Sequence, residues 1–199
     1  MKIGIMGGTF DPIHNGHLIL SEYIREKCKL DKVIFIPTGK PPHKNLNNIS
    51  DNNIRKKMVE LAIESNPNFA ISTIEMDSVE TSYTIDTIKE LKNIYDRDEL
   101  YIIIGGDSLL NLETWKDYKE LISIANIIVA DRYTPNMEEM VEKIKEFNNK
   151  YNGNIVRINT PIIHISSTII RKRVKEDLSI KYLLPDILEK YIIKNHLYK

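Results

Sequence analysis

Two histidines three residues apart, His14 and His17, follow a glycine pair in the run Gly7-Gly8-Thr9-Phe10-Asp11-Pro12-Ile13-His14-Asn15-Gly16-His17. Imidazole donates hydrogen bonds to phosphate oxygens and changes charge near neutral pH, so two rings on one side of a helix start suit the handling of an anion. The surrounding elements fit that use. Ile3, Ile5 and Met6 read as a short buried strand that breaks at Gly7-Gly8, where no side chain keeps a ligand from the backbone. Asp11-Pro12 continues the turn, and Asn15 is the expected N-cap of a helix carrying Leu18, Leu20, Tyr23 and Ile24. Strand, glycine turn and helix start together make a phosphate cradle, because free amides and the positive helix end favour negative charge. The plainer alternative is a pair of surface histidines capping a helix; two rings beside a glycine turn weigh against it.

Further chemistry-bearing groups recur at the ends of apolar runs. Residues 32–36 read as a second strand stopped at Pro37, and the loop over 38–48 carries His43 and Lys44 where open α/β sheets place ligands. A helix through Met58, Leu61, Ala62 and Ile63 has Arg55 on its polar face, and residues 69–73 make a third strand. Tyr83, Thr84 and Thr87 open another helix, with two hydroxyls one turn apart that either bind a ligand or line the helix. The most apolar run, 100–104, belongs in the centre of a parallel sheet and ends in Gly105-Gly106-Asp107. There Asp107 could meet ribose hydroxyls or simply cap a helix. Trp115, the single tryptophan, reads as core or as a stacking platform. Residues 126–130 form a strand delivering Asp131-Arg132, 138–148 an amphipathic packing helix, and 154–158 a last strand. Ser166 or Ser167 caps a helix that adds Thr168 and Arg171, a second helix-terminus anion site, whereas His164 reads as a packed or surface side chain.

Composition narrows the classes. The 199 residues suit one domain with a substantial core, and 42% hydrophobic with 28% charged residues is ordinary for a soluble globular protein. Lys+Arg and Asp+Glu balance at 28 each, so no global field calls for nucleic acid or an anionic membrane. Cys28 is the only cysteine, which excludes an intrachain disulfide and a cysteine-based zinc cluster. Neither a leader peptide nor a membrane-length apolar run is read in the chain, and the cytoplasm is the expected compartment.

The first motif lacks both Gly-x-Gly-x-x-Gly and a closing Gly-Lys-Ser/Thr, so it is neither a dinucleotide fingerprint nor a Walker A loop. It resembles the His-x-Gly-His form of the Thr/Ser-x-Gly-His nucleotidyltransferases, a class that also holds pantetheine-phosphate adenylyltransferases and cytidylyltransferases. Over residues 8–17 it resembles the opening of the bacterial nicotinate-nucleotide adenylyltransferases, and further stretches follow in that family's order. Pro41-Pro42-His43-Lys44 resembles the family's Pro-Pro-His-Lys loop, and Ser82-Tyr83-Thr84-Ile85-Asp86-Thr87 its Ser-Tyr-Thr-x-x-Thr motif. Gly105-x-Asp107 followed by Leu112-x-x-Trp115 resembles its central motif, and Ile165-Ser166-Ser167-Thr168-Ile169-Ile170-Arg171 its Ile-Ser-Ser-Thr-x-Ile-Arg signature. Residues 183–196 resemble its terminal helical segment.

The alternation of strands and helices predicts a Rossmann-like, doubly wound parallel sheet of about five to six strands with flanking helices. The expected organisation is one nucleotidyltransferase domain over 1–199, with a core at 1–160 and a small helical segment at 161–199. The resemblance implies transfer of the adenylyl group of ATP to nicotinate mononucleotide, with Mg²⁺ bridging the phosphates. It implies His14 and His17 as catalytic. Gly7, Gly8, Thr9, Phe10, Gly105, Asp107, Arg132, Ser167, Thr168 and Arg171 would join them on ATP. Thr9, His43, Lys44, Tyr83, Thr84, Thr87, Asp107 and Trp115 would hold nicotinate mononucleotide. The partners expected are these small molecules, not nucleic acid or membrane, and assembly into a homo-oligomer is left open. Competing readings are an enzyme for the amide, nicotinamide mononucleotide; a non-catalytic nucleotide sensor on the same fold; and a metal hydrolase using His14, His17 and His43.

Overall fold

Strands that are apolar on both faces need cover on two sides. The computed structural model describes residues 1–41, 49–131 and 137–199. Strands β1 (Lys2–Gly8), β2 (Lys32–Pro37), β3 (Phe69–Ile71), β4 (Glu99–Gly105), β5 (Asn126–Asp131) and β6 (Asn154–Asn159) form a six-stranded parallel sheet in the order β3-β2-β1-β4-β5-β6. Helices α1 (Asn15–Lys27), α2 (Asn52–Ile63), α3 (Thr84–Ile94), α4 (Gly106–Leu110), α5 (Tyr118–Ile124), α6 (Met137–Tyr151), α7 (Ser167–Lys175) and α8 (Asp186–Lys194) accompany it. The doubly wound α/β class expected from the sequence is the fold observed.

Alternation along each strand decides which helix covers which face. Met6, Val33, Phe35, Ile103 and Ile128 point to one side, where α1, α2, α7 and α8 bring Leu20, Ile24, Met58, Val59, Ile170, Val174, Leu188 and Ile192. Ile3, Ile5, Ile34, Ile36, Ile102, Ile104 and Ile127 point to the other, against Ile85, Ile88 and Leu91 of α3, Leu121 and Ile122 of α5, and Met140 and Phe147 of α6. Full burial of one such side chain contributes about 1.5–3 kcal/mol, so a slip of register by one residue would forfeit a whole row. Ile5 of β1 fixes that register on both sides, opposite Ile34 and Ile102.

The chain builds outward from β1 to β2 and β3, then returns to lay β4 against the free side of β1 and continues outward to β5 and β6. The covering helices change face at that return. The carboxyl ends of β1 and β4 are therefore left open between the two layers, the place where doubly wound sheets bind ligands. Several boundaries differ from expectation: β1 runs through both glycines instead of breaking at them, β2 includes Pro37, β3 stops at Ile71 before Ser72-Thr73, and β4, β5, β6 and α6 extend a little beyond the ranges expected. Among the described residues, no helix is long and apolar enough to cross a membrane.

Candidate active site

The glycine turn leaves β1 and reverses into α1. A Cβ at Gly7 would meet nothing within 4 Å, so the strand end faces open space there, whereas at Gly8 it would press on the Phe10 ring at 3.0 Å. Phe10 itself sits at φ 49°, in the left-handed region. That conformation is unfavourable for a bulky residue and is held by anchoring of the ring. The ring is 2% exposed and meets Phe35 and His17 edge to face, with centroids 5.8 and 5.1 Å away. The side chain of Phe10 is thus core, and only its backbone is placed for a ligand.

His14, not Asn15, is the N-cap of α1. Asn15 is drawn elsewhere: its amide N–H donates to Leu183 O at 2.9 Å and its side-chain Nδ2 to Tyr182 O at 2.8 Å. The backbone N–H of His14 donates to His17 Nδ1 at 3.3 Å, and the two rings stack with centroids 3.7 Å apart and a 22° tilt. With Nδ1 accepting, a neutral His17 carries its proton on Nε2. His14 is only 4% exposed, and a Cβ at Gly16 would come within 3.0 Å of its imidazole. The glycine makes room for the ring. The histidines do meet as expected, but His17 lines the crevice while His14 stacks against it and does not.

The crevice is a cavity of about 850 Å³, within the range of small-molecule sites. Gly7, Gly8, Thr9 and His17 line it from the glycine turn, Gly105 and Ser108 from the end of β4 and from α4, and Tyr83, Thr84, Thr87, Trp115 and Lys116 from the start of α3 and the segment before α5. Tyr83 is the N-cap of α3 and has Lys116 Nζ over its ring at 4.7 Å; the same ammonium pairs with Asp86 at 2.9 Å. Thr87 does not present its proton to the cavity: its hydroxyl lies 2.8 Å from Glu75 Oε1 and 3.2 Å from Tyr83 O. Burial pushes the Glu75 carboxyl up from its ordinary range, against hydrogen bonds from Thr87, Ser82 and the Gly39 amide. Gly39 is required by space, since a Cβ there would fall 1.9 Å from the Glu75 carbonyl oxygen.

The remaining expected residues sit around the turn or apart from it. Ser166 caps α7, accepting from the Ile169 amide at 3.2 Å. Ser167 Oγ donates to Pro12 O at 2.8 Å, and Arg171 donates to Asp11 O at 2.7 Å and to Thr168 Oγ1 at 3.5 Å. Here Ser167 and Arg171 hold the turn by its carbonyls, and neither they nor Thr168 lines the cavity. Asp107 is exposed in the first turn of α4 and also stands outside the lining. His43, Lys44 and Arg132 lie outside the described residues.

Arg55 corrects the sequence reading outright. Expected on the polar face of α2, it is 1% exposed, and its guanidinium donates to Thr9 O at 2.9 Å, Thr38 O at 2.8 Å and Ser50 O at 3.0 Å. Charge marks a residue as polar, but nothing local in the sequence reveals the Thr38 and Thr9 carbonyls, 17 and 46 positions away, waiting for it. Glu75, Ser108 and Lys116 were missed for the same reason. Among the described residues, no group of three or more His, Cys, Asp or Glu side chains could hold a metal ion.

A family model described as cytidylyltransferase-like matches residues 5–173. The chain is 46% identical to a probable nicotinate-nucleotide adenylyltransferase of Thermoanaerobacter sp., covering 100% of this chain and 95% of that one. It is 44% identical to the protein of the same name from Dictyoglomus thermophilum, over the full length of both. Among solved structures, the fold is similar to Plasmodium falciparum nicotinic acid mononucleotide adenylyltransferase complexed with NaAD, with TM-score 0.81, 21% identity, and 99% and 97% of the two chains covered.

Proposed function

The chain belongs to the nicotinate-nucleotide adenylyltransferase family of cytidylyltransferase-like proteins, and from that premise we propose that it transfers the adenylyl group of ATP to nicotinate mononucleotide. The products are nicotinate adenine dinucleotide and pyrophosphate, in a late step of NAD synthesis. One observation carries the reading. His17 at the glycine turn, with His14 stacked on its ring, shares one cavity of about 850 Å³ with the hydroxyl-bearing and aromatic side chains of Tyr83, Thr84 and Trp115. Such a cavity suits two joined nucleotides with phosphates at the histidine end.

The reaction needs no covalent nucleophile. A phosphate oxygen of the mononucleotide attacks the α-phosphorus of ATP, one P–O bond forms, and the bond to pyrophosphate breaks. The protein aligns two anions and offsets the charge that develops. In this scheme His17 Nε2–H donates to the α-phosphate, and His14 holds the ring in place while completing the helix start. The amides of Gly7, Gly8, Thr9 and Phe10 and the end of β4 at Gly105 cradle ATP, with Asp107 near its ribose. Ser167 and Arg171 fix the turn, and the N-terminal amides of α7 with Thr168 meet the outer phosphates. Tyr83, Thr84 and Trp115 take the nicotinate ring, and Thr87 braces that wall through Glu75. His43, Lys44 and Arg132 enter on motif alone, the first two at the phosphates and the third on the adenine side. A divalent cation, Mg²⁺ in this reading, would enter with the ATP substrate and would supply neutralisation of phosphate charge, with few ligands from the protein. The zero formal charge supports small molecules rather than nucleic acid as partners, and the cytoplasm is taken as the compartment.

The experiment is pyrophosphate release from Mg–ATP with nicotinate mononucleotide, nicotinamide mononucleotide or phosphopantetheine supplied separately. Turnover confined to the nicotinate acid is expected. Preference for the amide would keep the mechanism and overturn the substrate; ATP binding with no turnover on any acceptor would favour a sensor.

A further inference from the structure

The turn that carries Thr9 and Asp11 is held from below by a buried polar network whose members come from three remote parts of the chain. Arg55 Nη1 bridges Thr9 O and Thr38 O at 2.9 and 2.8 Å, and its Nε reaches Ser50 O at 3.0 Å. The Ser50 amide in turn donates to Asp11 Oδ2 at 3.1 Å. The second oxygen of that carboxylate, Oδ1, accepts from the Tyr198 hydroxyl at 2.7 Å. Arg55 is 1% and Asp11 4% exposed, so neither charge is relieved by water. Burial disfavours the Arg55 charge, and the neighbouring Asp11 and Asp51 carboxylates oppose that loss. Burial and the Asp11 charge push the Tyr198 phenol far up, which keeps it a donor.

None of the three side chains lines the cavity, yet together they join the cradle to both flanks of the stretch that carries His43 and Lys44. A guanidinium fork fixes Thr38 and Ser50 at one distance from Thr9, and the Asp11 carboxylate locks the next residue of the turn to the same frame. We propose that Arg55, Asp11 and Tyr198 are positioning residues for adenylyl transfer, setting the spacing between the phosphate cradle and the chain on either side of it. This rests on the functional reading above. A purely structural role for the network would lower the fraction of active protein, so kcat would fall while every KM stayed the same. Positioning moves the KM for ATP.

Tyr198→Phe tests this, since it keeps the ring and removes only the hydroxyl. It is expected to raise the KM for ATP about three- to tenfold, the share of a charged buried hydrogen bond that reaches the site. Arg55→Lys keeps the charge but cannot fork, and should lower kcat/KM for ATP about a hundredfold. A Tyr198→Phe protein whose KM for ATP equals that of the unaltered protein overturns the proposal, whatever its kcat. If the unaltered protein gives no turnover, the functional reading has failed instead, and calorimetric titration with ATP decides the inference. Weakening of threefold or more by Tyr198→Phe then supports it, and equal affinity overturns it.

Discussion

Replacing Gly39 by alanine tests whether the two walls of the cavity are set by a backbone contact. Gly39 has no positive φ, so alanine is not excluded by conformation. Space excludes it. The new Cβ would lie 1.9 Å from the carbonyl oxygen of Glu75, 2.7 Å from its carbonyl carbon and 3.2 Å from Met76 Cα. Real Cβ contacts stay beyond 3.0 Å, so the two backbones must part by about 1.1 Å, the difference between that limit and 1.9 Å. They cannot part freely, because Ser82 N–H donates to Lys40 O at 3.0 Å, Lys40 N–H to Ser82 Oγ at 3.2 Å, and Lys40 Nζ to Val79 O at 2.6 Å. Overpacking of this kind costs about 2 kcal/mol, which lowers Tm by about 4–8 °C in a chain of this size. Displacing the wall that bears Glu75, Tyr83 and Thr84 by about 1 Å should reduce kcat/KM for nicotinate mononucleotide about a hundredfold. Steady-state rates with each substrate varied in turn, together with a thermal melt, read both effects. A Gly39→Ala protein with unchanged melting and unchanged kcat/KM would refute the close approach and the wall it sets.

His17→Ala should lower kcat about 10²–10³-fold, the usual loss when a donor to developing charge is removed; full turnover would end its role at the α-phosphate. Because burial raises the Glu75 carboxyl above the ordinary carboxylate range, the folded chain holds that proton more tightly than the unfolded one. Stability therefore falls as pH rises from the unfolded value through the raised one, then levels. Glu75→Gln should flatten that part of the curve of Tm against pH, and parallel curves for the two proteins would contradict it. Arg157 Nη2 pairs with Asp131 at 2.7 Å, and Asp131 is 1% exposed while the arginine is partly open to solvent. Arg157→Ala should cost about 1–2 kcal/mol, or roughly 2–8 °C of Tm, without altering either KM; a melting temperature equal to that of the unaltered protein would show the pair to be unimportant.

Periodicity and glycine placement made the sheet readable: runs such as Tyr101-Ile102-Ile103-Ile104 are apolar on both faces, and both glycine turns fall at strand ends that open on the cavity. The two histidines were legible because their spacing is local. What failed to show were groups whose partners are far away in the sequence. Asn15 has the composition of a cap, yet its side chain is taken by the Tyr182 carbonyl, and His14 caps instead. Arg55 looks solvated until the carbonyls of Thr9 and Thr38 surround it. Ser167 and Arg171 read as an anion site, while the fold has them gripping Pro12 and Asp11. Propensity sees three or four residues along a helix and has no access to a carbonyl delivered by another strand.

The bond between Asp11 and Tyr198 spans 187 positions and has a consequence in time. The glycine turn and first helix leave the ribosome well before Tyr198 does. At about 5–20 residues per second, they wait on the order of 10–40 s before the tyrosine that fixes the turn has been made. Ser167, Arg171 and Leu183, which also grip this region, arrive only shortly before it. The sheet can form during synthesis, but its cradle can be finished only after Tyr198 has emerged, so full-strength nucleotide binding would report that synthesis has passed that residue.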